Sequence, residues 1–372
     1  MSVATAIQRK DKIRYNNIMN RLSMNRLSQV LCIIIFILWA SGCSPPGEGQ
    51  SPEVMTPRQE EIFSRGTPEQ VEELIRESPQ VLKMVDSHGR GPMHLACGVE
   101  VLKVLREAGA SIEAGDADLW APLHYAVYRD DLPAVEYLIE KGAPVNAVNS
   151  LDVTPVFLAR SLPVLKMLVE KGAHVNARHK KGGTPLHNAP NIMCAEFLLE
   201  NGALADVPDN DGMTPLHIFC EKGNLPVVRL LVSRGASLET RDLAGDAPLH
   251  NAVYYEHAEI AEFLIKSGAQ VNPAKEDGGT PLHDASGQGN ADMVAFLINA
   301  GADVNLRDKS GQTPLFFAAK EGHVKTVEIL LSAGADSSIT GLGNMTPAEV
   351  ARDRKKFAVA RILDNFPKKA QQ

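Results

Sequence analysis

TPLHDASGQGNADMVAFLINAGADVNLRDKSGQ, residues 280 to 312, carries the signals for two short helices and a turn. Thr280 can cap the free backbone N–H groups of a helix entry. Pro281 suits the first turn because the N–H it lacks would be unpaired there. Val294, Leu297 and Ile298 stand at i, i+3 and i+4, which predicts one apolar face on a second helix. Gly301 sits where that helix should stop and supplies the left-handed conformation that other residues resist. The polar ADVNLRDKSGQ that follows has the character of a hairpin turn leading out of the unit.

The same pattern recurs along most of the chain. The tetrads GPMH, APLH, TPVF, TPLH, TPLH, APLH, TPLH, TPLF and TPAE place their prolines at 92, 122, 155, 185, 215, 248, 281, 314 and 347. The spacing is 33 residues, shortened to 30 for the units at Pro92, Pro155 and Pro185. Those units lack about one helical turn, so the face made by their first helices should be shallower. The unit length and the T-P-L-H signature resemble the ankyrin-repeat family. The resemblance implies an all-α-type repeat solenoid: helix-turn-helix units joined by β-hairpin loops, about ten of them in one curved stack over residues 57–366. Residues 60 to 89 look like a degenerate first unit, and TPAEVARDRKKFAVARILDNF like a charged closing one; 367–372 is a polar tail. One unit cannot bury its apolar face alone, whereas stacked units share a continuous core.

Upstream, LCIIIFILWA (31 to 40) is an apolar run too short for a bilayer span, which needs about 20 residues. Basic residues precede it and ASGC (40 to 43) follows, an arrangement that resembles the lipobox of bacterial lipoproteins. This predicts a signal peptide over 1–42, with a functional start at Met24 as one option, and lipidation at Cys43. Residues 43–56, rich in Pro, Gly and Ser, read as a flexible tether. Ser44 after the cysteine resembles an outer-membrane sorting signal, so the expected location is the periplasmic face of the outer membrane of a bacterial envelope. A short uncleaved anchor or a secreted protein are the alternatives.

Formal net charge is −7, with six basic residues and one acid before Cys43, so the remainder is strongly acidic. That balance argues against nucleic acid as a partner, because phosphate binding needs clustered Lys and Arg. Cys97, Cys194 and Cys220 match no zinc or redox spacing and read as small buried hydrophobes.

Catalytic signals are missing: there is no G-x-S-x-G, P-loop or H-E-x-x-H, and no cofactor site is expected. The tetrad histidines His94, His124, His187, His217, His250 and His283 form a row. Stacked units lie roughly 8–10 Å apart, too far for neighbouring rings to share one ion; the resemblance implies that they bond neighbouring hairpins instead. Asp209 to Gly212 reads as a tight turn. Binding remains. Trp120, Tyr125 and Tyr128 form one aromatic cluster at places expected to be exposed and concave, and Tyr254 and Tyr255 a second; aromatics in such places are common interface anchors. The tip ARHKKGG (177 to 183) is basic and could meet an acidic partner or lipid headgroups. The expected activity is therefore non-enzymatic: a monomeric, membrane-tethered scaffold that holds a protein partner on its concave face. Within the resemblance, periplasmic ankyrin proteins are associated with supporting envelope enzymes. The competing reading is a secreted or injected effector acting on host proteins.

Overall fold

The computed structural model describes residues 53–366. Cys43, the expected signal segment and the polar tail lie outside the described residues. Ten helix pairs follow one another, each a first helix opening at the tetrad proline and a second helix of nine or ten residues. In the repeat quoted above these are Pro281–Gln288 and Ala291–Asn299.

The core is the repeat pattern made solid. The tetrad leucines Leu123, Leu186, Leu216, Leu249, Leu282 and Leu315 are all buried, as are the paired second-helix residues Val135 and Leu138, Val228 and Leu231, and Val294 and Leu297. They join one cluster that runs the length of the array. Burying each such side chain stabilises by about 1.5–3 kcal/mol, and only because the next unit covers it. After the second helix Gly301 has φ 98°, and no atom lies within 4 Å of where a Cβ would stand. The glycine is needed there for its backbone conformation, not for space.

The connecting tips differ from the expected β-hairpins. Among the described residues no paired strands form, and Val54 with Val85 makes one isolated parallel bridge. The tips are tight turns held by their first side chain. Asp308 Oδ1 accepts from the N–H groups of Ser310 (2.9 Å) and Gln312 (2.8 Å), and Asp86, Asp116, Asn149, Asp209 and Asp242 repeat the arrangement. Neighbouring tips are then stitched by single backbone bonds, such as Lys309 N–H to Asp277 O at 2.7 Å and Leu243 N–H to Asp211 O at 2.9 Å. One bond per unit aligns the tips without building a ladder.

The ends hold two refinements. The first unit opens earlier than residue 60, at a tetrad of its own, Thr56-Pro57-Arg58-Gln59, with a helix over Pro57–Arg65. Residues 53–56, expected to belong to the tether, pack against this unit: Met55 is buried and its N–H donates to Val85 O at 2.8 Å. The shortened units match expectation. The first helix is four residues long at Pro92–Leu95 and a single 3-10 turn at Pro155–Leu158 and Pro185–Asn188, against seven or eight residues in the full-length inner units.

Candidate interaction surface

The inner face consists of the first helices and the tips, and the tetrad histidines bind the two together. Each Nδ1 accepts from the backbone N–H that opens its own helix, at 2.9–3.1 Å for His94, His124, His187, His217, His250 and His283. Nε2–H then donates to the carbonyl just before the next tetrad: His94 to Trp120, His124 to Val153, His187 to Met213, His217 to Asp246 and His283 to Gln312, at 2.9–3.1 Å. This assigns the neutral Nε2–H tautomer. Burial pushes the pKa of all six rings down, consistent with that assignment. The threonines were expected to cap these helices directly. At Thr184, Thr214 and Thr280 the hydroxyl instead meets the histidine Nδ1 at 2.8–2.9 Å, and direct capping appears at Thr313, where Phe316 replaces the histidine.

His250 breaks the pattern. It is 1% exposed, yet its Nε2 has no hydrogen-bond partner. The tip it faces starts with Lys275 where six others start with Asp or Asn. Lys275 Nζ lies 2.9 Å from Asp246 Oδ1 and 2.7 Å from Asp284 Oδ2. Burial, reinforced by the Lys275 charge, pushes His250 down to about 3. Asp284 is pushed up to about 6 by burial against the pull of the same ammonium. Asp246, His250 and Asp284 offer donor atoms within 4.8 Å of one another, but Lys275 already fills the cation's place between the two carboxylates. This half-buried Asp246–Lys275–Asp284 triad escaped the sequence reading; the signal was a lysine at a tip position that Asp or Asn holds in six other tips and His179 in one.

The structure brings Trp120, Tyr125 and Tyr128 together. The indole lies 5.4 Å from the Tyr125 ring and 6.3 Å from Tyr128, ring centroid to centroid. Tyr125 donates its hydroxyl to Asp116 Oδ2 at 2.5 Å, and burial together with that carboxylate raises its pKa. Arg160 covers the Tyr128 ring at 4.2 Å. All three aromatics are half-buried rather than exposed as expected, because they pack on one another. In the second cluster the rings of Tyr254 and Tyr255 meet edge-on at 5.3 Å. Tyr254 is 41% exposed, whereas Tyr255 turns inward and its pKa is raised by burial and by the Glu221 carboxylate. Cys194 and Cys220 are buried, but Cys97 is exposed, a correction that follows from the short first helix beside it.

Shortening a helix strips carbonyls of their partners, and the next unit supplies them. Arg129 donates to Ala96 O and His94 O, both at 2.8 Å, and Lys222 to His187 O at 3.3 Å. In full-length units the ring of His257 or His323 does this work, on Glu221 O and Gly287 O.

The profile of "Ankyrin repeats (3 copies)" matches the chain in four overlapping stretches, 61–149, 123–207, 188–275 and 272–340. The chain is also similar to "Ankyrin repeat protein OPG189" of Variola virus (isolate Human/India/Ind3/1967), 36% identical over 77 residues, which is 19% of this chain and 14% of the viral protein. A second Variola virus sequence of that name gives the same figures. The chain thus spans about a seventh of its viral relatives' length. With the profile covering most of the described array, the chain belongs to the ankyrin-repeat family.

Proposed function

We propose that this chain is a non-enzymatic scaffold, tethered to a bacterial envelope membrane through a lipidated Cys43, that holds a partner protein on its inner face. Ankyrin repeats are a protein-interaction fold, and the observation that carries the binding reading is the unbroken run of repeats over the described residues. The half-buried Trp120 cluster and the exposed Tyr254 ring supply aromatic contact area on that face. The tether rests on the sequence ASGC after a basic flank and a short apolar run. Several acyl chains on one cysteine anchor stably, whereas one chain binds only marginally.

Cys43→Ser tests the anchor. The wild-type chain should label with fatty acid and partition into the detergent phase, and the variant should do neither. An unlabelled, aqueous wild-type chain would remove the lipoprotein reading, and its appearance in the medium would favour the effector reading instead. For partner binding, pull-down from the envelope fraction with Trp120→Ala/Tyr128→Ala should lose partner relative to wild type; undiminished recovery would remove that cluster from the binding face.

A further inference from the structure

Two consecutive units, those at Pro155 and Pro185, have first helices cut to a single turn, while their neighbours Pro122–Tyr128 and Pro215–Glu221 keep seven residues. The missing turns leave a notch in the inner face. One turn is about 5 Å deep, and two units at about 8–10 Å each make it roughly 20 Å wide. Tyr128 and Lys222 stand on its walls. Leu158 and Ala159 form part of its floor, and Pro190, Ile192 (41% exposed) and Met193 (55% exposed) continue the apolar surface at its open end.

Charge changes sign at the same place. Residues 154–190 hold six basic side chains and one acidic one, Glu170, on a chain whose net charge is −7. Two of the six, Lys166 and Lys171, lie on or just beyond the second helix Leu162–Glu170, away from the notch. The other four are Arg160 at the floor and Arg178, Lys180 and Lys181 on the tip between the two short units. None of these four takes part in an ion pair among the described residues. Arg160 is exposed, and its guanidinium lies over the Tyr128 ring at 4.2 Å, where the floor meets the wall. Cations left unpaired beside exposed apolar side chains, on an otherwise acidic surface, form a complementary seat for a segment that is both acidic and apolar.

We infer that this notch is the docking site for an acidic, apolar-studded peptide segment of the partner protein. Its carboxylates meet Arg160 and the 178–181 tip, and its apolar side chains lie against Tyr128, Leu158, Ile192 and Met193. The assignment rests on the protein-binding reading above and names the class of partner that reading leaves open.

The test uses the purified full chain and a short fluorescein-labelled peptide alternating glutamate with leucine and phenylalanine. Its controls are the same peptide with lysine for glutamate, and phosphatidylglycerol vesicles. Fluorescence anisotropy should show salt-sensitive binding of the glutamate peptide alone, weakened about tenfold or more by Arg160→Glu/Lys181→Glu. Lys166→Glu/Lys171→Glu, with the same change in net charge away from the notch, should leave it unchanged. Equal losses in the two double variants, no binding of the glutamate peptide, or notch-dependent binding of vesicles in its place would each overturn the assignment. A photo-crosslinker separates this from the broader reading. Partner crosslinks from Trp120 or Tyr254 with none from Asn188 would sink the notch and leave protein binding standing.

Discussion

His250 makes the array sensitive to acid, and the size of the effect follows from its burial. Its folded pKa is about 3, against about 6.5 in an unfolded chain. A depressed pKa contributes stability that is fully present above 6.5 and is lost as pH falls toward the folded value. Between pH 7.5 and 5.5 the unfolded chain takes up a proton at this site that the folded chain refuses, which costs about 1.4 kcal/mol, a tenfold change in the folding equilibrium. The other five tetrad histidines push in the same direction. Asp284 opposes them, since a carboxyl raised to about 6 contributes stability below the unfolded value that is lost as pH rises through 6. Comparison with His250→Gln isolates one ring from this background. Glutamine already occupies the equivalent place in the first unit, where Gln59 accepts the helix-opening N–H at 2.8 Å, and Gln70 does the same for that unit's second helix at 2.9 Å, so the capping bond survives. Urea unfolding at a series of pH values, with hydrogen exchange of residues 247–279 as a local readout, should show the variant losing about 1.4 kcal/mol less than wild type over that interval. Identical pH slopes would refute the buried, neutral His250.

Lys275→Met should destabilise by about 3–5 kcal/mol in thermal or urea unfolding, because it strands Asp246 and Asp284 beside each other, and Lys275→Met/Asp284→Asn should recover part of the loss. Gly301→Ala should cost about 1–2 kcal/mol from its positive φ alone, whereas Gly245→Ala should cost more, since its Cβ would also collide with Glu276 N in the neighbouring tip. Arg129→Ala should lower stability by about 1–3 kcal/mol in the same measurement by leaving Ala96 O and His94 O without donors; Arg129→Lys, restoring at most one bond, should fall between.

The array was legible because its determinants are local and repeated. The tetrad proline, the i, i+3, i+4 stripe and the glycine after each second helix act within one unit, and repetition in register multiplies the signal. The short units were legible for the same reason, as missing residues. Less legible was what depends on neighbours across units. That Trp120, Tyr125 and Tyr128 would meet followed from their spacing, but not that Asp116 would draw in the Tyr125 hydroxyl and leave the cluster half-buried. The Asp246–Lys275–Asp284 triad joins positions from three successive units, and comparing equivalent tip positions would have exposed Lys275, with His179, as a departure from Asp or Asn. Thr56-Pro57-Arg58-Gln59 escaped the tetrad reading because Pro57 stands 35 residues before Pro92, off the 30- and 33-residue spacing, and Arg58 replaces the apolar third residue, although Gln59 accepts the helix-opening N–H as histidine does elsewhere.

The central claim, that the inner face of the repeats binds a partner protein, is tested most directly by a photo-crosslinking scan of the full chain in its native envelope. Crosslinkers placed at Trp120, Asn188 and Tyr254 sample the inner face, and those at Glu136, Glu196 and Glu262 sample the second helices. The account predicts one protein captured from inner positions and not from the second helices. Capture confined to the second helices, or no capture from any inner position, would contradict it.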